Sequence, residues 1–199
     1  MIELKDNDLV FAKVKHNAII PTKDDENAGY DIYACFDENY MVIPSHTTKL
    51  IPTGIASATT DKYYLNVAER GSTGSKGMKY SAGIIDSSYR GEIFIAISNV
   101  NSYDIVISKL NEEELFDKYG ETNEYDSDTR IIKYGDDEFD KIYEDDDPYY
   151  KPMIYPYSKA IAQLIVHEVP KMNVKEITYE ELKAIPSKRG IGALGSSGK

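Results

Sequence analysis

Apolar and polar positions alternate in short runs over most of this chain. Leu9–Lys15, Tyr30–Phe36, Thr47–Ile51, Tyr63–Val67, Glu92–Ser98 and Ile161–Val166 are rich in branched and aromatic residues, the composition that suits a pleated, half-buried surface. Within Glu92–Ser98, Ile93, Ile95 and Ile97 share one face and leave Phe94 on the other. Pro21, Pro44, Pro52, Gly54, Gly71, Gly74 and Gly77 fall between the runs in turn-like clusters. Many short strands with such punctuation predict an all-β sandwich, jelly roll or barrel. No amphipathic helices alternate with the strands, which argues against a doubly wound sheet.

Residues 101–155 break the pattern and are expected to form a small mixed α/β or helical insertion. Asn111 before Glu112-Glu113-Glu114 resembles a helix N-terminus, with a cap and acids that the dipole favours. Leu115, Phe116 and Tyr119 would form its apolar side and Gly120 its stop. A second helix is predicted to begin near Asp136, with Phe139, Ile142 and Tyr143 at helical spacing, and Arg130–Tyr134 reads as a strand between the two. The core is then residues 1–100 plus 156–186. Residues 187–199 hold too little apolar material to pack alone and are expected to form a mobile glycine-rich arm.

Charge sharpens this division. The net charge is −11, yet Asn111–Tyr150 carries sixteen acids and four bases, a balance of −12, so the remainder is nearly neutral. A chain so charged repels nucleic-acid phosphates, and no nucleic-acid partner is expected. No apolar stretch approaches a membrane span in length, and Met1–Asp6 lacks the blocks of a signal peptide. A single cysteine, Cys35, excludes an internal disulfide and a cysteine-based metal cluster. His16, His46 and His167 are widely separated, with no second ligand nearby in sequence. These features predict a soluble, cytoplasmic protein.

The segment most suggestive of chemistry is Ala82-Gly83-Ile84-Ile85-Asp86-Ser87-Ser88-Tyr89-Arg90-Gly91-Glu92. Gly83 permits close backbone approach, and Ile84 and Ile85 anchor a turn that presents Asp86. A carboxylate three residues before a tyrosine sets a base beside a flat apolar wall, an arrangement that suits a nucleotide and an activated water. Read alone, the segment could be only a hairpin with a polar tip.

Four further segments occur with it in a fixed order. Ala28-Gly29-Tyr30-Asp31-Ile32 and Glu69-Arg70-Gly71-Ser72-Thr73-Gly74 precede it. Ala160-Ile161-Ala162-Gln163-Leu164 and Arg189-Gly190-Ile191-Gly192-Ala193-Leu194-Gly195-Ser196-Ser197-Gly198 follow it. Together the five resemble the motifs of trimeric dUTPases, over about Phe11–Val100 and Ser158–Lys199. The resemblance implies a jelly-roll-like homotrimer that hydrolyses dUTP to dUMP and pyrophosphate with Mg²⁺. It makes Asp86 the general base and lays Tyr89 against the deoxyribose. It has Gly83 and Ile84 read the uracil edge. Arg70, Gly71, Ser72 and Gln163 would bind the phosphate chain, and Asp31 would act near the metal through water. Arg189, Leu194, Gly195 and Ser196 would come from another subunit's arm and close over the nucleotide.

The chain departs from the family's pattern in places. Glycine follows Arg70 where many relatives place serine, and Ala160 stands where arginine is common. Leu194 replaces the aromatic that usually covers uracil, for which Phe94 is a candidate substitute. A dCTP deaminase of the same fold is the rival enzymatic reading. A protein partner recruited through residues 101–155 is the rival class of function, because the rings there exceed what a solubilising tail requires.

Overall fold

Ile93, Ile95 and Ile97 mark the inside of the fold, and all three are buried. The computed structural model describes residues 3–123, 126–133, 140–143, 152–188 and 190–191. Its first strands are β1 (Leu9–Lys13), β2 (Gly29–Ile32), β3 (Tyr40–Ile43), β4 (Thr48–Pro52), β5 (Ile55–Thr59) and β6 (Tyr63–Ala68). A single helical turn, α1 (Gly71–Gly74), precedes β7 (Met78–Ser81), β8 (Ile84–Ile85), β9 (Phe94–Asn99) and β10 (Ile105–Ser108). Helix α2 (Glu112–Tyr119) leads into β11 (Gly120–Asn123), β12 (Asp126–Lys133) and β13 (Asp140–Tyr143). β14 (Met153–Pro156), β15 (Ala162–Glu168) and helix α3 (Tyr179–Ala184) complete the order.

The strands assemble in the orders β2-β15-β6-β8, β4-β9-β7, β14-β10-β3, β1-β5 and β11-β12-β13. Alternation explains the packing. Leu65 and Val67 of β6 point inward, as do Ile95 and Ile97 of β9, and they join Ile32, Ile43, Ile51, Ile55 and Leu164 in one apolar cluster. The predicted strands coincide with β1, β2, β4, β6, β9 and β15. The expectation of a mostly β protein is met.

Two expectations are corrected. The interval 101–155 does not lie wholly outside the core. β10 pairs antiparallel with β3, Ile105 opposite Ile43, and parallel with β14, Ile107 opposite Tyr155. Ile105, Val106, Ile107 and Tyr155 are buried, so both ends of the interval are core strands, placed there by apolar burial that outweighs the acidic flanks. The second helix is also not formed where it can be checked. Asp140–Tyr143 is a strand with Ile142 opposite Ile131, as the β-branched residues in both runs favour. The start of that expected helix, near Asp136, lies outside the described residues.

Pro170–Lys199 is a separate compact unit from the rest of the chain. Helix α3 within it starts with a reciprocal cap: Thr178 Oγ1 accepts the Glu181 N–H at 3.2 Å, and the Glu181 carboxylate accepts the Thr178 N–H at 2.7 Å. The Thr178 N–H, and then the Thr178 hydroxyl donating to the same carboxylate at 2.8 Å, hold the Glu181 carboxyl below its usual range. Among the described residues, no helix is long and apolar enough to cross a membrane.

Candidate active site

The second motif is shaped by its backbone. Arg70 enters α1 in extended conformation (φ −85°, ψ 149°), and its carbonyl accepts the N–H groups of Thr73 at 3.0 Å and Gly74 at 2.9 Å. Thr73 is wholly buried, and its hydroxyl accepts the Arg70 N–H at 3.2 Å. Arg70 is thereby tied down by its main chain while its side chain extends toward β2.

There it meets Asp31. Arg70 Nε donates to Asp31 Oδ1 at 2.8 Å and Nη2 to Oδ2 at 3.0 Å, a two-pronged pair that fixes both planes. Nη1 donates to Ser72 Oγ at 3.3 Å and to the Ala160 carbonyl at 3.4 Å. Side-chain exposures of 30% and 32% leave the pair in partial contact with water, so it orients the guanidinium more than it stabilises the fold.

Strand register brings the fourth motif alongside. Asp31 lies opposite Gln163, and Gln163 opposite Ala68, so β2, β15 and β6 stand abreast here. Gln163 Nε2 donates to the Glu69 carbonyl at 2.7 Å. A Cβ on Gly29 would collide with the Gln163 carboxamide, so glycine is required at that position. Gly29, Asp31, Arg70, Gly71, Ser72 and Gln163, with Asn27 and Ala28, line an open cleft of about 310 Å³. At Gly71 an added Cβ would meet no atom within 4 Å.

Among the described residues, no group of three or more His, Cys, Asp or Glu could hold a metal ion. Among the described residues, Asp31 is the only carboxylate lining the cleft, and Arg70 engages both its oxygens. This donor set cannot chelate Mg²⁺ unaided. It fits an ion that keeps several waters and is held mainly by phosphate oxygens, with Asp31 reached through water.

The third motif is elsewhere in the chain. Ala82 takes a left-handed conformation (φ 54°) to turn from β7 into β8. The Gly83 carbonyl accepts the Val67 N–H at 2.8 Å, and a Cβ on Gly83 would come within 3.0 Å of Val67 O. Ile84 is exposed, and β8 ends the order of its sheet, so its outer edge offers main-chain donors and acceptors. Asp86 is exposed and begins a tight turn, its carbonyl accepting the Tyr89 N–H at 3.0 Å. Tyr89 Oη donates to the Glu92 carbonyl at 2.9 Å, and its ring covers Gly91, where any Cβ would strike the phenol. Glu92 accepts the Gly54 N–H at 2.7 Å, anchoring the base of the hairpin.

Asp86 and Arg70 are not brought together within one chain. Asn66 pairs with Ile84 and Leu65 with Ile85, so β8 runs away from Arg70 toward Asp86. Three positions along β6 from Leu65 to its end at Ala68 amount to roughly 10 Å, and Arg70 lies beyond that end. Arg189, Leu194, Gly195 and Ser196 lie outside the described residues. Phe94 begins β9 opposite Pro52 and is 46% exposed. The sequence reading missed Thr73, Tyr80 and Tyr155, which underlie the cleft; inward spacing on β7 marks Tyr80 as core, but no motif marks its hydroxyl.

Fold and cleft together define a mostly β protein with an arginine-bearing, polar cleft where β2, β15 and β6 stand abreast. Residues 15–111 match the dUTPase family model. The deoxyuridine 5'-triphosphate nucleotidohydrolase of Debaryomyces hansenii is 30% identical over 185 residues, 92% of this chain and 82% of that protein. The chain belongs to the dUTPase family. In fold it is similar to a dUTPase of Staphylococcus bacteriophage 80alpha solved with dUpNHpp, at TM-score 0.63 and 23% identity over 97% of this chain and 99% of that one. A dUTPase from phage phi11 of S. aureus, whose structure visualises a species-specific insert, matches at TM-score 0.56 and 20% identity, covering 86% of this chain and 96% of that one.

Proposed function

We propose that this protein hydrolyses dUTP to dUMP and pyrophosphate by attack of water on the α-phosphorus. The observation that carries the reading is the cleft in which Asp31 grips Arg70 beside Ser72 and Gln163, four residues drawn from three of the motifs. The unpaired edge of β8 near Gly83 and Ile84 presents N–H and C=O groups to the complementary edge of uracil. Tyr89, held by Glu92 and Gly91, forms the wall for a sugar and leaves no room for a 2′-hydroxyl.

Asp86 takes a proton from water as the water oxygen bonds to the α-phosphorus. The bond from that phosphorus to the bridging oxygen breaks, and pyrophosphate leaves. Arg70 binds the phosphate chain with N–H groups that Asp31 has already oriented, so little reorganisation is needed in the transition state. Bound with the triphosphate, Mg²⁺ would supply charge neutralisation, with Asp31 reached through water. Arg189, Gly195 and Ser196 would close on the β- and γ-phosphates from another subunit's arm, and Leu194 would cover the base.

Because Asp86 and Arg70 lie far apart along one chain, a complete site needs more than one copy. A homotrimer with three shared sites supplies them. The cytoplasm is the setting we assign. A second reading, an added protein-binding role for the acidic segment, is favoured by its local charge of −12.

The test is direct. Purified protein with Mg²⁺ should release pyrophosphate from dUTP and neither pyrophosphate nor ammonia from dCTP. Ammonia from dCTP would make it a deaminase of the same fold.

A further inference from the structure

Buried hydroxyls beneath the cleft join the second motif to the fourth. Tyr80 of β7 hydrogen-bonds the Ile161 carbonyl, and its Oη lies 2.8 Å from Thr73 Oγ1. Thr73 Oγ1 in turn accepts the Arg70 N–H at 3.2 Å and lies 3.1 Å from Arg70 O. A second path runs beside it: Tyr155 Oη donates at 2.8 Å to the Ala160 carbonyl, the oxygen that also receives Arg70 Nη1. Consecutive carbonyls of the fourth motif therefore each carry a tyrosine hydroxyl. One path ends on the main chain of Arg70 and the other on its guanidinium.

The Thr73 hydroxyl donates to Arg70 O at 3.1 Å, an oxygen that also accepts the Thr73 and Gly74 amides. The Tyr80 hydroxyl is within donating reach of both Ile161 O and Thr73 Oγ1, so it ties the fourth-motif carbonyl to a hydroxyl bonded to the Arg70 main chain. A phenylalanine would fill the same apolar space without burying a hydroxyl, so packing alone gives no reason for tyrosine. Burial pushes the Tyr80 phenol up to about 12, which keeps it protonated across the neutral range.

We propose that Tyr80 and Thr73 are positioning residues for Arg70, forming a hydroxyl relay that sets the main-chain angle from which its guanidinium meets both Asp31 and the phosphate chain. The inference rests on the reading of Arg70 as a phosphate contact.

The test measures binding of a non-hydrolysable imido analogue of dUTP, with deoxyuridine as the phosphate-free control. Tyr80→Phe and Thr73→Val should each weaken the analogue by roughly 5- to 30-fold, the loss expected from one buried hydrogen bond. Deoxyuridine binding should not change, and Thr73→Ser should bind the analogue like the parent. In an Arg70→Ala background, Tyr80→Phe should cost nothing further. An undiminished Tyr80→Phe loss in that background, or an equal loss for deoxyuridine, would overturn the relay and leave the role of Arg70 standing. Analogue binding unaffected by Arg70→Ala would overturn both. If Tyr80→Phe fails to fold, the contrast between Thr73→Val and Thr73→Ser decides the matter, and equal binding by those two overturns the relay.

Discussion

Asp86 occupies a turn whose shape is made by main chain, its carbonyl held by the Tyr89 amide and its hairpin tied at the base by Glu92 and Gly54. Changing only the carboxylate's chemistry should therefore spare the turn. Asp86→Asn is predicted to lower kcat by roughly 10²–10⁴-fold with analogue binding retained; near-normal turnover would remove Asp86 as the base. Tyr80 gives a second expectation at this scale. Its folded-state pKa of about 12 exceeds the ordinary value of 10.0, so between those values the folded state holds the proton that the unfolded state has lost. Its contribution to stability is complete below pH 10 and disappears as pH rises toward 12. The loss is roughly 2–3 kcal/mol. Urea titrations across that interval should fall more steeply for the parent than for Tyr80→Phe; parallel slopes would contradict the assignment. Residues such as Asp31, Arg70 and Gln163 were legible in the sequence because short motifs carry them. Tyr80 was not, because its partner carbonyl belongs to Ile161, eighty-one positions away, and a bond to main chain imposes no pattern on the residue that offers it.

Strands were legible where period-two alternation met a one-sided core, as in β6 and β9. They were hidden where burial is two-sided or the run is chemically mixed. β10 has no alternation to read, since all four of its residues are buried, and β14 ends in proline beside an acidic segment. Helix α2 was legible from its acidic first turn and from Asn111, whose side chain accepts the Glu114 N–H at 2.9 Å. Helix α3 closes on its own cap, and among the described residues nothing from Ser187 onward is buried. Removal of everything after Pro186 is therefore predicted to leave the thermal midpoint nearly unchanged. It should lower kcat/KM by at least about 100-fold, since on the proposed function it takes away Arg189 and the arm that would close on the phosphates. Full kcat/KM in the truncated protein would make the arm a tail. Within the arm, Leu194→Phe would, on the proposed function, put a ring over uracil and is predicted to keep activity or tighten binding modestly; severe loss would mean that another group, such as Phe94, covers the base.

At the scale of the whole molecule the distribution of charge is the feature to explain. An enzyme for an anionic substrate gains nothing from a balance of −12 concentrated in Asn111–Tyr150, and carboxylates near a triphosphate repel it. The segment leaves the core after β10 and returns at β14, two strands that pair side by side and in parallel. Because the strands are parallel, the exit at Ser108 and the return at Met153 lie at opposite ends of the pair, so a replacement linker must cross back along the strands and needs about a dozen residues. The same pairing sets the limits of the experiment, because Ile105–Ser108 and Met153–Pro156 contribute Ile105, Ile107 and Tyr155 to the core and must stay. Substitution of residues 111–150 by a Gly/Ser linker of about a dozen residues is predicted to preserve the oligomer and to leave kcat/KM for dUTP within about threefold. A basic protein partner recruited by this segment would be steered by its charge and anchored by its rings. Its association should weaken as salt rises and vanish in the linker variant, while dUTP hydrolysis by that variant stays insensitive to the partner. Collapse of turnover in an intact oligomer would instead assign the segment to the active site, and binding that persists in the linker variant would place the partner's contact on the β core.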